Sequence, residues 1–177
     1  MRMFETQRLF IGQYSLIDVK NYFRLKSCAK VWEYSTFVPY REPKQAEDEL
    51  RQIIDAKSYD WLGFLPVYEK ETSKYIGEAG IIDCNWNANR CEIGYNLLPE
   101  YWGKGYATEV TSFFVKNAFE VQKFERIEAL VIQDNIASCR VLEKNGFTLE
   151  GVLRNFNKNG NLYRNVCYYS IISSDYF

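Results

Sequence analysis

The sequence predicts one mixed α/β domain built on a single sheet. Three observations carry that reading. Short apolar runs with strand character alternate with stretches of helical periodicity, in the order strand, two helices, three strands, helix, strand, helix, two strands. A length of 177 residues suits one substantial core. No internal repeat, low-complexity tract or linker divides the chain, so residues 1–177 read as one domain.

Each element has a local cause. "QRLFIGQYS" alternates as a strand does and runs into "SLIDVKNYFRLK", a helix with Ser15 as its cap. "EPKQAEDELRQIIDAK" is a second helix, with Pro43 in its first turn, acids near its start, and Leu50, Ile53 and Ile54 on one face. "WLGFLPVYEK" and "KYIGEAGIIDCN" are strands joined through the polar "KETSK", and "RCEIGYNLL" is a third that Pro99 stops. In "ATEVTSFFVKNAFEV" the residues Ala107, Val110, Phe114, Ala118 and Val121 recur at helical steps. "RIEALVI" is a short buried strand, and "NIASCRVLEKNGF" a helix that Asn135 caps and Gly146 follows. "TLEGVLRNFN" and "NLYRNVCYYSII" are strands, with an Asn-Gly hairpin signal in the "KNGN" between them.

Composition removes several function classes. Apolar residues make up 47% of the chain and aromatics 17%, too many for a disordered segment. Lys and Arg number 22 against 23 Asp and Glu, with no long basic run, so nucleic acid is not an expected partner. No signal peptide is expected, and no segment approaches the ~20 apolar residues of a spanning helix, so no membrane is expected either. Five cysteines without a C-x-x-C pair read as reduced thiols of a cytoplasmic protein. The chain has no histidine. That excludes Ser-His and Cys-His nucleophiles and the histidine-based zinc motifs, and no metal is expected. Catalysis is left to carboxylates, hydroxyls, amines and backbone groups.

One turn stands out. "PEYWGKGYATEV" places Gly103 and Gly105 around Lys104, between a strand and a helix. Alone, the G-x-G spacing asks only for backbone freedom. It matches neither the Walker loop nor the dinucleotide fingerprint. In context it is also an anion cradle, because the first N–H groups of a helix lack internal partners and the helix dipole favours negative charge there. Downstream, Asn135 reads singly as a helix cap and Ser138 as a first-turn polar residue.

Together these stretches resemble the two cofactor motifs of the GNAT N-acetyltransferase superfamily, above all its branch of ribosomal-protein N-terminal alanine and serine acetyltransferases. "ETQRLFIGQYSLID", "YIGEAGI", "EIGYNLLPEYWGKGYATEV", "NIASCRVLEKNGFTLEGVLRN" and "YRNVCYYSI" follow in that family's order and spacing over nearly the whole chain. The resemblance implies an α/β (α+β) fold. Its central, mostly antiparallel twisted sheet has about seven strands, is splayed in the middle, and is flanked by about four helices.

It also implies an acetyl-CoA-dependent transfer to a primary amine, and a set of residues. The pyrophosphate would lie on Gly103, Lys104, Gly105, Tyr106, Ala107 and Thr108. The family's Gln or Arg is Glu100 here, an acid expected to point away. The pantetheine arm would add beside Asn96, Leu97 and Leu98, with Asn135 bonding it and Ser138 near the thioester sulfur. A backbone N–H near Leu97 would meet the oxyanion. Ser138 would protonate the leaving thiolate or only orient it, ahead of Tyr106 and Tyr163. The branch's basic glutamate matches Asn157, which cannot take a proton, so Glu92 is the first substitute, with Glu78 and Asp83 behind it. Those two read better as solvated strand residues.

Acceptor selection is expected around "KVWEYSTFVPY", from Trp32 and Tyr34 together with Trp86, whereas Phe37 reads better as core. No acidic cluster calls for a polyamine. The expected acceptor is a protein N-terminal α-amine, with a small amine or amino acid next. A non-catalytic acyl-CoA-binding module is the alternative of another class. The resemblance also allows a homodimer.

Overall fold

The structure, a computed structural model, describes residues 2–56 and 61–177. The strands are β1 (Arg2–Glu5), β2 (Leu9–Gly12), β3 (Leu65–Glu69), β4 (Tyr75–Asn85), β5 (Arg90–Leu97), β6 (Arg126–Ile132), β7 (Thr148–Asn159) and β8 (Leu162–Ile172). The helices are α1 (Val19–Lys26), α2 (Pro43–Asp55), α3 (Tyr106–Lys116), α4 (Ile136–Lys144) and the short α5 (Ser173–Tyr176). All eight strands form one sheet in the order β1-β2-β3-β4-β5-β6-β8-β7. Every pairing is antiparallel except that of β5 with β6.

The eighth strand is β1, which the sequence pattern does not mark. Its four residues have too little alternation to be seen, and pairing with β2 makes them a strand.

Helices cover both faces at the centre. The run Tyr75–Ile81 of β4 is buried at every position, so neither face meets water. Tyr22 and Leu25 of α1 and Ala46 and Leu50 of α2 fill one side. On the other side α3 packs on β4, β5 and α4 through Val110, Phe114 and Val115. Gly80 of β4 permits a close approach on the first side. A Cβ there would strike the carbonyl oxygen of Gly63, whose N–H donates to Ile81 O at 2.7 Å.

Two local expectations shift. Val121 lies off the buried stripe, 65% exposed. Residues Asn117–Val121 form a π-type turn in which the Gln122 N–H bonds Asn117 O at 3.0 Å, and the wider turn carries Val121 outward while Phe119 takes the core position. In the β7–β8 hairpin Asn159 pairs with Leu162, so the central residues are Gly160 and Asn161 rather than Asn-Gly. Gly160 supplies the positive φ, +59°.

Candidate active site

β5 and β6 are paired only at Arg90↔Arg126, Cys91↔Ile127 and Glu92↔Glu128. Beyond Glu92 they diverge, and β5 runs on to Leu97 with one backbone edge turned into the gap. This is the splay expected at the centre of the sheet. Tyr95 of β5 reaches across and donates its O–H to Ser138 Oγ at 2.9 Å. Ser138 sits in the first turn of α4, and its N–H bonds the Oδ1 of the cap residue Asn135 at 3.2 Å. Burial pushes the Tyr95 phenol up, while its bond to Ser138 pulls the other way, so the phenol keeps its proton and acts as a donor. Sequence reasoning missed Tyr95 because an aromatic in a buried strand looks like packing.

The far end of β5 leads into the glycine turn. Leu97 and Leu98 are buried, and the Trp102 indole N–H donates to Leu97 O at 2.7 Å. Gly103 and Gly105 have φ of +72° and +80°. A Cβ on Gly103 would meet nothing within 4 Å, so what the turn requires there is backbone conformation, not space. Gly105 caps α3, and Glu109 is the residue whose N–H first bonds back to it, at 3.0 Å. The N–H groups of Tyr106, Ala107 and Thr108 therefore lie in the unpaired first turn.

Arg8 buttresses this turn from 96 positions before Lys104, where no local signal reveals it. It donates to Lys104 O at 2.9 Å, pairs with Glu109 at 2.7 Å and lies 4.5 Å over the Tyr106 ring. The Lys104 ammonium is over the Tyr101 ring, and the Tyr106 hydroxyl donates to Glu69. Glu100 is engaged by Arg24 of α1, which balances its charge.

On the opposite face of β5 lie Glu92 and Asn96. Glu92 is half-buried, and desolvation, reinforced by Asp83 and Glu128, raises its carboxyl above the ordinary range. Asp83 is exposed, as expected. Glu78 is not a solvated strand residue: its exposure is 0%. It accepts from Tyr14 Oη at 3.0 Å, Lys26 Nζ at 3.3 Å and Asn96 Nδ2 at 2.9 Å. Its position in an unbroken buried run overrides the polarity of its side chain.

The aromatic candidates scatter. Trp32 is buried and its indole N–H bonds Leu25 O at 3.0 Å. Tyr34 is exposed beneath the Arg164 guanidinium. Trp86 is in the β4–β5 turn against Trp61 and Phe124, at the end of β5 away from Leu97. None of the three borders the cavity of about 390 Å³ beside α1 and α2. Phe37 does, so it is more than core. Tyr163 is exposed near the hairpin end with Lys158 over its ring, and Asn157 lies in β7 opposite Arg164.

Residues 8–148 match the family model described as an acetyltransferase (GNAT) domain. The chain belongs to the GNAT acetyltransferase family. Among its curated GNAT relatives is an uncharacterized N-acetyltransferase, p20, of Bacillus licheniformis, 29% identical over 176 residues and 99% of each chain. Two solved structures share the fold. The spermidine N-acetyltransferase of Vibrio cholerae, in complex with CoA and spermine, has a TM-score of 0.83 at 20% identity, over 97% of this chain and 99% of that one. The ribosomal-protein-S5-alanine acetyltransferase of Vibrio fischeri has a TM-score of 0.80 at 22% identity, over 98% of each chain. One GNAT fold thus carries different acceptors, and the acceptor has to be argued from side chains.

Proposed function

We propose that the protein transfers the acetyl group of acetyl-CoA to a primary amine in the β5–β6 gap. The observation that carries this reading is a free strand edge in the gap continuing into a glycine turn at the start of α3. Pantetheine would bond the backbone edge of Asn96–Leu98, and the pyrophosphate would meet the N–H groups of Gly103–Thr108 with Arg8 and Lys104 nearby.

The amine nitrogen attacks the thioester carbonyl, and a C–N bond forms. The oxyanion is met by a backbone N–H near Leu97. As the C–S bond breaks, Ser138 gives its proton to the sulfur. Tyr95, already donating to Ser138 Oγ, restores that proton and is itself reprotonated from water. Glu92 takes the proton lost by the nitrogen, directly or through water. Glu78 is the weaker base, since three donors already occupy it.

The sequence expectation was a protein N-terminal α-amine. The cavity beside α1 and α2, of small-molecule size and walled by aromatic rings, favours a small amine instead. An exposed apolar row on the outer strand β7, Leu149, Val152, Leu153 and Phe156, supports self-association into a dimer. No helix among the described residues is long and apolar enough to cross a membrane, and five free cysteines fit a cytoplasmic setting.

Acetyl-CoA should raise the melting temperature, and thiol release should depend on an added amine. Valine at both Gly103 and Gly105 should remove the thermal response. A full response in a folded double variant would sink the cradle. A thermal response with no thiol release from any amine would leave a silent binder.

A further inference from the structure

The cavity beside α1 and α2 has a polar end that the transfer chemistry does not use. Its walls include Tyr14, Tyr22, Phe37, Phe64, Ile53 and Leu65, and among the described residues Lys26 and Glu49 are its charged lining residues. Lys26 is neutralised from behind by Glu78, at 3.3 Å, and lies within 5 Å of the ring centroids of Tyr22, Trp32 and Phe37. Among the described residues Glu49 has no such cation. The hydroxyls of Tyr22 and Tyr40 both donate to its Oε2, each at 2.6 Å. Burial, then neighbouring carboxylates and these bonds, raise both phenols far above their ordinary range, so they remain donors. The other oxygen, Oε1, has no hydrogen bond among the described residues. Among the described residues the cavity is therefore apolar along its walls and carries one uncompensated negative charge, with a free acceptor atom.

Lining residues of the cavity also neighbour β5, the strand that edges the reaction gap. The place of a Cβ on Gly94 is 3.4 Å from the ring of Phe64, a wall residue. Tyr14 and Lys26, two more wall residues, bond Glu78, which bonds Asn96 on β5. Glu49 accepts from the Tyr22 phenol, and the Lys26 ammonium lies 4.9 Å from the centroid of the same ring.

We propose that this cavity is the acceptor subsite and that Glu49 holds a distal ammonium, so the acceptor is an elongated diamine with an apolar middle. Its near nitrogen is acetylated and its far nitrogen remains protonated. The near amine forms the C–N bond and loses one proton, the thioester C–S bond breaks, and the CoA sulfur gains one. An apolar body between aromatic walls loses water without losing hydrogen bonds, and a charge-assisted bond to Oε1 fixes its length. A compound bearing several cations would leave the inner ones unpaired among rings, beside Lys26. This inference rests on the acetyltransferase reading, and its test is built so that the two can fail separately.

The test compares 1,6-diaminohexane with hexylamine, in wild type and in Glu49→Gln. Wild type should acetylate the diamine with a kcat/KM about 10- to 100-fold higher. Glu49→Gln should erase most of that preference while leaving the KM for acetyl-CoA unchanged. Tyr40→Phe, which keeps the carboxylate, should retain the preference. Equal rates for the two amines in wild type, or an equal loss for both in Glu49→Gln, would overturn the proposal. Amine binding without acetyl-CoA is read from the melting temperature. If no amine is acetylated but 1,6-diaminohexane alone stabilises wild type and not Glu49→Gln, the subsite stands and the transfer reading falls. If neither amine is acetylated nor bound, the subsite falls as well.

Discussion

The seam between β5 and β6 is closed at one end and open at the other, and the two ends are held by different chemistry. At the closed end three residue pairs are reinforced by charge. Arg126 bonds Glu128 at 2.7 Å and also pairs with Glu150, Arg90 engages Glu128 from β5, and Ser170 donates to Glu150 at 2.7 Å. At the open end the side-chain bond from Tyr95 to Ser138 spans the gap. A sheet that must leave a strand edge free for a ligand gives up backbone pairing there. Stability has to come from the part that remains zipped. The ends therefore answer to different measurements, turnover at the open one and unfolding at the closed one.

The largest expected effect tests the open end. Ser138→Ala should lower kcat by roughly 10² to 10⁴ with little change in acetyl-CoA affinity, because the lost interaction belongs to the transition state. Tyr95→Phe should show a smaller loss of the same kind, and wild-type stability in both variants is the control. A defect confined to KM would make Ser138 a positioning residue and Tyr95 a packing one.

The next effect is at the closed end. Arg126→Ala should cost about 1–3 kcal/mol in denaturant unfolding, chiefly because the buried Glu128 loses a partner, with the exposed Glu150 adding little. Activity per folded molecule should change little. The pair also has a pH signature. Arg126, then Ser170, hold the Glu150 carboxyl down to about 2. A depressed carboxyl stabilises the fold above its unfolded pKa of roughly 4.3, and this contribution fades as pH falls toward the folded value. Arg126→Ala should therefore flatten the acid limb of the stability curve. An unchanged limb would mean that Glu150 is solvated and the charge network idle.

The smallest effect lies at the junction of the two ends. Glu92→Gln should reduce turnover roughly tenfold near neutral pH, and the defect should shrink as pH rises and amines lose their protons unaided. Because the Glu92 carboxyl is raised, its ionisation works against folding. The stability it provides is full below the unfolded pKa and is lost as pH rises through the folded one. Glu92→Gln should thus melt higher than wild type at neutral pH and not in acid. A pH-independent rate defect would move Glu92 from base to positioning.

Much of the architecture was legible in local pattern. The strand-turn-helix passage through Gly103 and Gly105, the Asn135 cap and the alternation of β4 and β5 are all properties of neighbours in sequence, and short-range sterics and hydrogen bonding decide them. Long-range pairing decided the rest. β1 becomes a strand only against β2, and Val121 leaves the core only because the helix end widens into a π turn. Arg8 reaches the glycine turn, and Tyr95 reaches Ser138, because the sheet folds distant residues together. Glu78 looked like a solvated acid because composition says nothing about which strands lie in the middle. Trp86 looked like a substrate contact because an aromatic's type does not reveal which end of a strand it occupies. Sequence by itself determined the fold, the family and the glycine turn, since each repeats a local motif at fixed spacing. Only the tertiary structure decided which carboxylate is spent in a buried network, which is half-exposed beside the gap, and which, Glu49, lines the cavity, because burial and charge balance are set by everything that packs around a residue.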